Sequence, residues 1–147
     1  MKHRNAQDTL QLVLNKAQEE QRATGKKVVT MQVFIDAEKQ QEQSLRDYQQ
    51  DYLQKIRDQK NVSVSEIHRY RGFCYQLEQA LLQQQEKIHL AEQHVEELQQ
   101  VLIKQQHKMN VLDELIKKHQ LATQQKDDKL LQKISDELAS RRFITQS

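Results

Sequence analysis

The sequence predicts an all-α protein in which two long antiparallel helices form a coiled-coil hairpin, and three observations lead to this prediction. The 147 residues include no Pro and only two Gly, so few chain reversals are expected. Apolar residues recur with heptad spacing in both halves of the chain. A short segment between the halves carries the signals of one helix end and one helix start. Helices joined by so short a connection pack antiparallel.

The second half of the chain has the stronger heptad pattern. Of 15 positions spaced alternately by three and four residues, 13 are apolar or aromatic, which is typical of a coiled-coil core. Gln84 and Gln105 are the polar exceptions, and polar core residues favour one register at some cost in stability. The series is Ile67, Tyr70, Cys74, Leu77, Leu81, Gln84, Ile88, Ala91, Val95, Leu98, Leu102, Gln105, Met109, Leu112 and Ile116.

The first half has a weaker series, with nine of 14 positions apolar. A short strand over residues 27–35 is the alternative, because Gly25 and the β-branched residues 28–30 lower helix propensity. Nothing else in the sequence could pair with such a strand, so a helix is favoured. The series is Leu10, Leu14, Ala17, Gln21, Thr24, Val28, Met31, Ile35, Glu38, Glu42, Leu45, Gln49, Tyr52 and Ile56.

The segment between the two series predicts a turn. Ser63 and Glu66 have capping-box spacing, in which each side chain pairs with a backbone N–H at the start of a helix. Val62 and Ile67 occupy the two positions of a hydrophobic staple. Basic residues just upstream suit the end of the preceding helix, and Asn61 tolerates a left-handed exit from it.

We therefore predict a single hairpin over residues 1–147. Helix one spans about 5–59, the turn about 60–63 and helix two about 64–140.

The C-terminal segment, residues 118–147, is expected to have no partner within the chain. Pairing outward from the turn places residue 5 near residue 117, so this segment extends past the N-terminus. A helix that lacks a packing partner is marginal in water. Apolar residues return in the segment out of phase with the core series, at Leu131, Ile134 and Leu138.

The charge distribution excludes a general affinity for nucleic acid. The net charge is only +2, with about +3 on residues 1–30, about −4 on residues 31–116 and about +3 on residues 117–147. The two basic segments meet only if the chain folds back on itself. They are either a solvated surface or a site for an acidic or amphipathic partner.

No catalytic, metal or cofactor motif is found. A glycine-rich phosphate loop is missing, and no two of the six histidines are four residues apart, as adjacent metal ligands on a helix would be. The single cysteine, Cys74, lies in the core series and is interpreted as a small apolar residue. Because the sequence has no second cysteine to pair with it, a reducing compartment is favoured. No run of apolar residues could span a bilayer, so membrane association is expected only through a partner.

The aromatic residues point to a docking surface near the turn. Tyr48, Tyr52 and Tyr70 can pack between the helices, whereas Phe73 and Ala80 each precede a core position and widen the apolar face of helix two. This face either seals the end of the hairpin or binds a partner, since aromatic residues are enriched in binding hot spots. Its 4-3-4 stripe comprises Phe73, Leu77, Ala80 and Gln84.

The stretch Tyr70-Arg-Gly-Phe73-Cys-Tyr-Gln-Leu77-Glu78-Gln-Ala80-Leu81 resembles the flagellar FliJ family of type III export components. The upstream stretch Leu45-Arg-Asp-Tyr48-Gln-Gln-Asp-Tyr52 resembles the family's Leu/Tyr segment before the turn. The resemblance covers nearly the whole chain, although most of it is generic coiled coil.

This resemblance implies a non-enzymatic hairpin, similar to the central stalk of rotary ATPases, in the cytoplasm at the inner face of the membrane below the flagellum. It implies three partners: the hexameric export ATPase, the membrane-embedded export gate and export chaperones. The gate-docking residues would be Phe73, Leu77, Ala80 and Gln84, although some family members have histidine in place of Gln84. The ATPase and chaperone end would comprise Leu131, Ile134, Leu138, Arg141 and Arg142.

Two alternatives remain open at this point. The first is the equivalent stalk of a virulence-type secretion system, and the Phe73 stripe favours the flagellar protein over it. The second is an unrelated scaffold that dimerises through its core series.

We predict a monomer in dilute solution, because helix one already covers most of the core series of helix two. Light scattering after size exclusion should give a mass near 17.5 kDa, with early elution expected for an elongated chain. A stable dimer at micromolar concentration would show that the hairpin is not the only assembly.

Overall fold

The computed structural model describes the backbone of residues 2–59 and 61–145 and the side chains of residues 5–59 and 61–142. The chain forms two α-helices, α1 (Lys2–Asp58) and α2 (Val64–Thr145), and the described residues contain no strand. The helices pack antiparallel as a hairpin, which confirms the predicted fold class.

The helices pack in two compact units. The first comprises Met1–Arg22 and Ile103–Ser147, and the second comprises Ala23–Leu102. In the first unit, Leu14 and Ala17 of α1 pack with Leu112 and Ile116 of α2. Leu10 and Met109 cover this cluster.

In the second unit, Ile35 of α1 packs with Ile88 and Ala91 of α2, and Met31 and Val95 flank them. Every position of the first heptad series is buried or half-buried, and so is every position of the second except Ile67. The heptad periodicity therefore located the helix contacts correctly along both helices.

The strand alternative for residues 27–35 is wrong, because the segment lies in the middle of α1. Val28 and Ile35 are buried core residues, Ile35 packs against α2, and Thr24 is buried one turn before Val28. The burial of these side chains outweighs the few tenths of a kcal/mol by which β-branched residues disfavour a helix.

Two polar positions of the core series, Gln84 and Gln21, form hydrogen bonds across the helices. The Gln84 amide donates hydrogen bonds to the Glu38 carboxylate and, at 3.0 Å, to the Glu38 backbone carbonyl. In the first unit, the Gln21 amide donates to the Gln106 side-chain oxygen at 2.8 Å. The Gln84 amide is buried and would remain unsatisfied without its partner, so its bonds to Glu38 disfavour other registers.

The turn has the predicted start of α2. The Glu66 backbone N–H donates to the Ser63 hydroxyl at 3.2 Å, so Ser63 is the N-cap. At the other side of the turn, the Gln59 N–H donates to the Ile56 carbonyl at 3.3 Å, which tightens the last turn of α1. The expected left-handed exit at Asn61 is wrong, because none of the described residues has a positive φ.

The fully exposed part of the C-terminal segment begins later than predicted. His119 and Thr123 are still half-buried, as continued core positions of α2 would be. From residue 124 to residue 142 every described side chain is exposed, although α2 continues as a helix to Thr145. None of the described helices is long and apolar enough to cross a membrane.

We predict that Ser63→Ala lowers the free energy of unfolding by about 1 kcal/mol, because the first turn of α2 loses its cap. Chemical denaturation followed by circular dichroism would measure this loss. Ser44→Ala is the matched control, since the Ser44 hydroxyl bonds only the Gln40 carbonyl within α1. Ser63→Asp should retain most of the stability, and an equal loss in all three variants would contradict a capping role.

Candidate docking surfaces

An aromatic cluster lies at the turn end of the hairpin. The rings of Tyr52 and Tyr70 stack with centroids 5.5 Å apart and an interplanar angle of 18°. Phe73 packs against Tyr52 at 4.6 Å and meets the edge of Tyr48 at 5.6 Å. Tyr52 is therefore in contact with Tyr70 and Phe73, two of the aromatic residues of α2.

The structure places the four predicted gate-docking residues at two depths. Leu77 and Gln84 are buried in the helix contact, with 7% and 6% of their surfaces exposed. Phe73 and Ala80 are half-buried beside it. Because the Gln84 amide is bonded to Glu38, its donors are already used within the hairpin.

Tyr48 is the residue that the sequence interpretation placed wrongly. It was expected between the helices, but 55% of its surface is exposed and its ring lies against Phe73. Tyr48 precedes the core position Gln49, just as Phe73 precedes Cys74, and this parallel offset could have indicated a shared side of the hairpin. We call the surface formed by Tyr48, Phe73 and Ala80 the Phe73 face.

A different set of residues lines a cleft of about 460 Å³ near the turn. Cys74 is half-buried there and therefore more exposed than the sequence interpretation expected. Tyr75 is 63% exposed. The side-chain hydrogen bond with Cys74, together with partial burial, raises the pKa of Tyr70 above its usual value. The lining is Gln49, Leu53, Tyr70, Arg71, Cys74, Tyr75 and Glu78.

Polar contacts continue beyond this cleft. Arg46 donates to the Glu42 carboxylate at 2.8 Å, and the Gln85 amide donates to it at 3.4 Å. The hydrogen bond from Arg46 is the largest cause of a lowered pKa at Glu42. Any stability that the lowered pKa reflects is present at pH values above the unfolded-state pKa of Glu42. It is lost as the pH falls through the lower, folded-state pKa.

Gly72 lies on the open surface of α2. A Cβ atom added there would have nothing within 4 Å, and the same holds for Gly25 in α1. No described residue of the hairpin occupies the space beside position 72, so the hairpin itself does not require glycine there. That space would allow the backbone of a partner to come close.

The residues predicted for the ATPase and chaperone end, here called the open end, lie along one uninterrupted helix. Leu131, Ile134 and Leu138 are 65%, 47% and 57% exposed, and their three- and four-residue spacing puts them on one side of α2. Arg141 and Arg142 follow them and are also exposed. No group of His, Cys, Asp and Glu in the described part of the chain could hold a metal ion.

We predict that Gly72→Ala raises the free energy of unfolding by up to about 1 kcal/mol, because alanine is the better helix former and the added methyl group meets nothing. Thermal or denaturant unfolding would measure the change. Gly25→Ala is the matched control and should give a similar gain. A loss at Gly72 alone would mean that another molecule covers this surface in solution.

The chain was compared with protein families, curated proteins and solved structures. The family described as flagellar FliJ protein matches residues 6–147, which is nearly the whole chain. The comparisons with curated proteins and with solved structures gave no match. The matched residues span both helices of the hairpin. The chain therefore belongs to the FliJ family and is a component of the bacterial flagellar protein export apparatus.

Proposed function

We propose that this protein is a stalk and escort that links the export ATPase to the export gate, with export chaperones as further partners. In this role it acts in the cytoplasm at the flagellar base and performs no catalysis itself. The observation that carries the proposal is the long helical segment 124–142, whose described side chains are all exposed. These exposed side chains offer a long surface to a partner.

The open end is assigned to the ATPase. Leu131, Ile134 and Leu138 form an apolar stripe that a helix or groove of a partner could cover. Arg141 and Arg142 lie at the end of this stripe, in a segment that carries about +3 charges over residues 117–147. Exposed charges of this kind speed association and make binding sensitive to salt.

The Phe73 face is assigned to the export gate. Phe73 and Ala80 offer partly exposed apolar surface, and Tyr48 extends it onto α1. Leu77 and Gln84 support this face from beneath, because both are buried in the helix contact. Large aromatic groups with a polar tip are common anchors in interfaces. The family match favours this flagellar role over a virulence-type stalk.

We predict that Phe73→Ala weakens binding to the cytoplasmic domain of the gate by more than about tenfold, as loss of a hot-spot aromatic does. The variant should lose less stability than the roughly 3–5 kcal/mol typical of a fully buried phenylalanine, because Phe73 is only half-buried. Isothermal titration calorimetry and denaturant unfolding would measure the two effects.

Phe34→Ala is the control for this experiment, since Phe34 is a partly exposed phenylalanine of α1 in the same unit. It should leave gate binding unchanged. If Phe73→Ala unfolds the hairpin while its folded fraction binds normally, Phe73 is a packing residue and the assignment of this face is wrong.

We predict that the double substitution Leu131→Lys and Leu138→Lys abolishes most stimulation of the ATPase, because it places charges in the apolar stripe without disturbing any buried residue. The double substitution Leu82→Lys and Leu90→Lys is the control, because both leucines are comparably exposed but lie in the other unit. ATP hydrolysis by the export ATPase would be the readout.

Hydrogen exchange gives a second measure of the same interaction. Amides after Thr123 should exchange quickly in the free protein and be protected when the ATPase is added, with little change near the turn. Deleting residues 124–147 should spare the hairpin and remove stimulation. Full stimulation by the truncated chain would show that the ATPase binds elsewhere.

A further inference from the structure

A second cleft lies at the turn itself, between the last turns of α1 and the first turns of α2. Its volume is about 260 Å³. The stacked rings of Tyr52 and Tyr70 line it together with three aliphatic side chains. The whole lining is Tyr52, Lys55, Ile56, Gln59, Val62, Glu66, Ile67, Arg69 and Tyr70. We call this the turn cleft.

The turn cleft is apolar inside, and basic side chains predominate around it. Lys55 and Arg69 are both lining residues and both exposed, whereas Glu66 is the only acidic residue in the lining. Residues 55–71 contain five basic and two acidic residues. The neighbouring parts of the same unit are acidic, with five acidic and two basic residues over 31–54. The positive charge is therefore concentrated around this cleft.

The turn cleft adjoins the Phe73 face. Tyr52 lines the cleft, and its ring is 4.6 Å from the ring of Phe73. Tyr48, one helical turn before Tyr52 on α1, also contacts Phe73. A protein docked on the Phe73 face would thus place the adjoining part of its surface at the mouth of the cleft.

We propose that the turn cleft binds an acidic segment of the protein that docks on the Phe73 face, with one apolar side chain of that segment inserted over Tyr52 and Tyr70. This inference rests on the proposed function and names a second contact of the same partner. The apolar interior requires an apolar anchor, and the charges of Lys55 and Arg69 select carboxylates beside it. A recessed cleft walled by both helices suits a side chain better than the flat surface of a membrane.

The double variant Lys55→Glu with Arg69→Glu tests the charge selection, with the purified cytoplasmic domain of the export gate as the probe. Its affinity should fall about tenfold or more at low salt, because two attractive contacts become repulsive. The affinity of the unchanged protein should fall as salt increases, and that of the variant should fall less. Lys26→Glu with Lys27→Glu is the matched control, since both lysines are exposed in the same unit. It should bind like the unchanged protein.

Failure of this inference can be separated from failure of the proposed function. If Phe73→Ala weakens binding but the Lys55/Arg69 variant binds like its control, the cleft proposal is overturned and the gate assignment stands. If the unchanged chain does not bind the gate domain, both are overturned. Circular dichroism would show whether the variant folds, and Lys55→Gln with Arg69→Gln replaces it if it does not.

A cross-link from the cleft provides the independent measurement. A benzophenone side chain at Ile67, which is 39% exposed at the cleft, should link the gate domain through a peptide rich in Asp and Glu. A linked peptide without acidic residues would contradict the proposal. So would co-sedimentation of the full chain with phosphatidylglycerol vesicles that depends on Lys55 and Arg69 while gate binding does not, because the site would then recognise lipid.

Discussion

The contact between α1 and α2 along their heptad positions is the constraint on which the other features depend. The described residues form no further layer to cover these positions, and none of their side chains is less than 2% exposed. Stability must therefore come from many modest burials, each contributing about 25 cal/mol per Å² of apolar surface, rather than from a few large ones. This arrangement leaves most of each helix exposed, so the same helices that hold the fold also present the docking surfaces.

Much of this contact could be predicted from the sequence because one physical rule governs it. Side chains spaced by three and four residues share one side of a helix, so the heptad series identified the buried positions even where they are polar, as at Thr24 and Gln84. The start of α2 was equally predictable. The first N–H groups of a helix lack partners within the helix, and Ser63 is placed to accept a hydrogen bond from one of them. Gly25 did not prevent a correct helix prediction, because a glycine costs a helix less free energy than the burial of the neighbouring core residues contributes.

The candidate surfaces were less predictable, because periodicity gives the direction of a side chain and not its depth or its neighbour across the hairpin. Tyr48 was placed in the core although it lies outside against Phe73. The start of the fully exposed segment was placed nearly two turns too early, because the burial of His119 and Thr123 depends on the pairing of the two helices. The turn cleft lies within residues 52–70, but it forms only where the ends of both helices meet, so periodicity along either helix could not reveal it.

The hydrogen bonds between Gln84 and Glu38 have a consequence for how such a protein can change in length over evolution. An insertion in one helix would carry its polar residue away from its partner and leave a buried amide or carboxylate opposite aliphatic groups. Only insertions of whole heptads, made in both helices at matching distances from the turn, would keep the pair together. Paired heptad changes between the turn and this polar pair would also preserve the aromatic cluster. The length of the paired helices can therefore vary only in coupled steps, whereas the exposed part of α2 after Thr123 can lengthen or shorten one residue at a time.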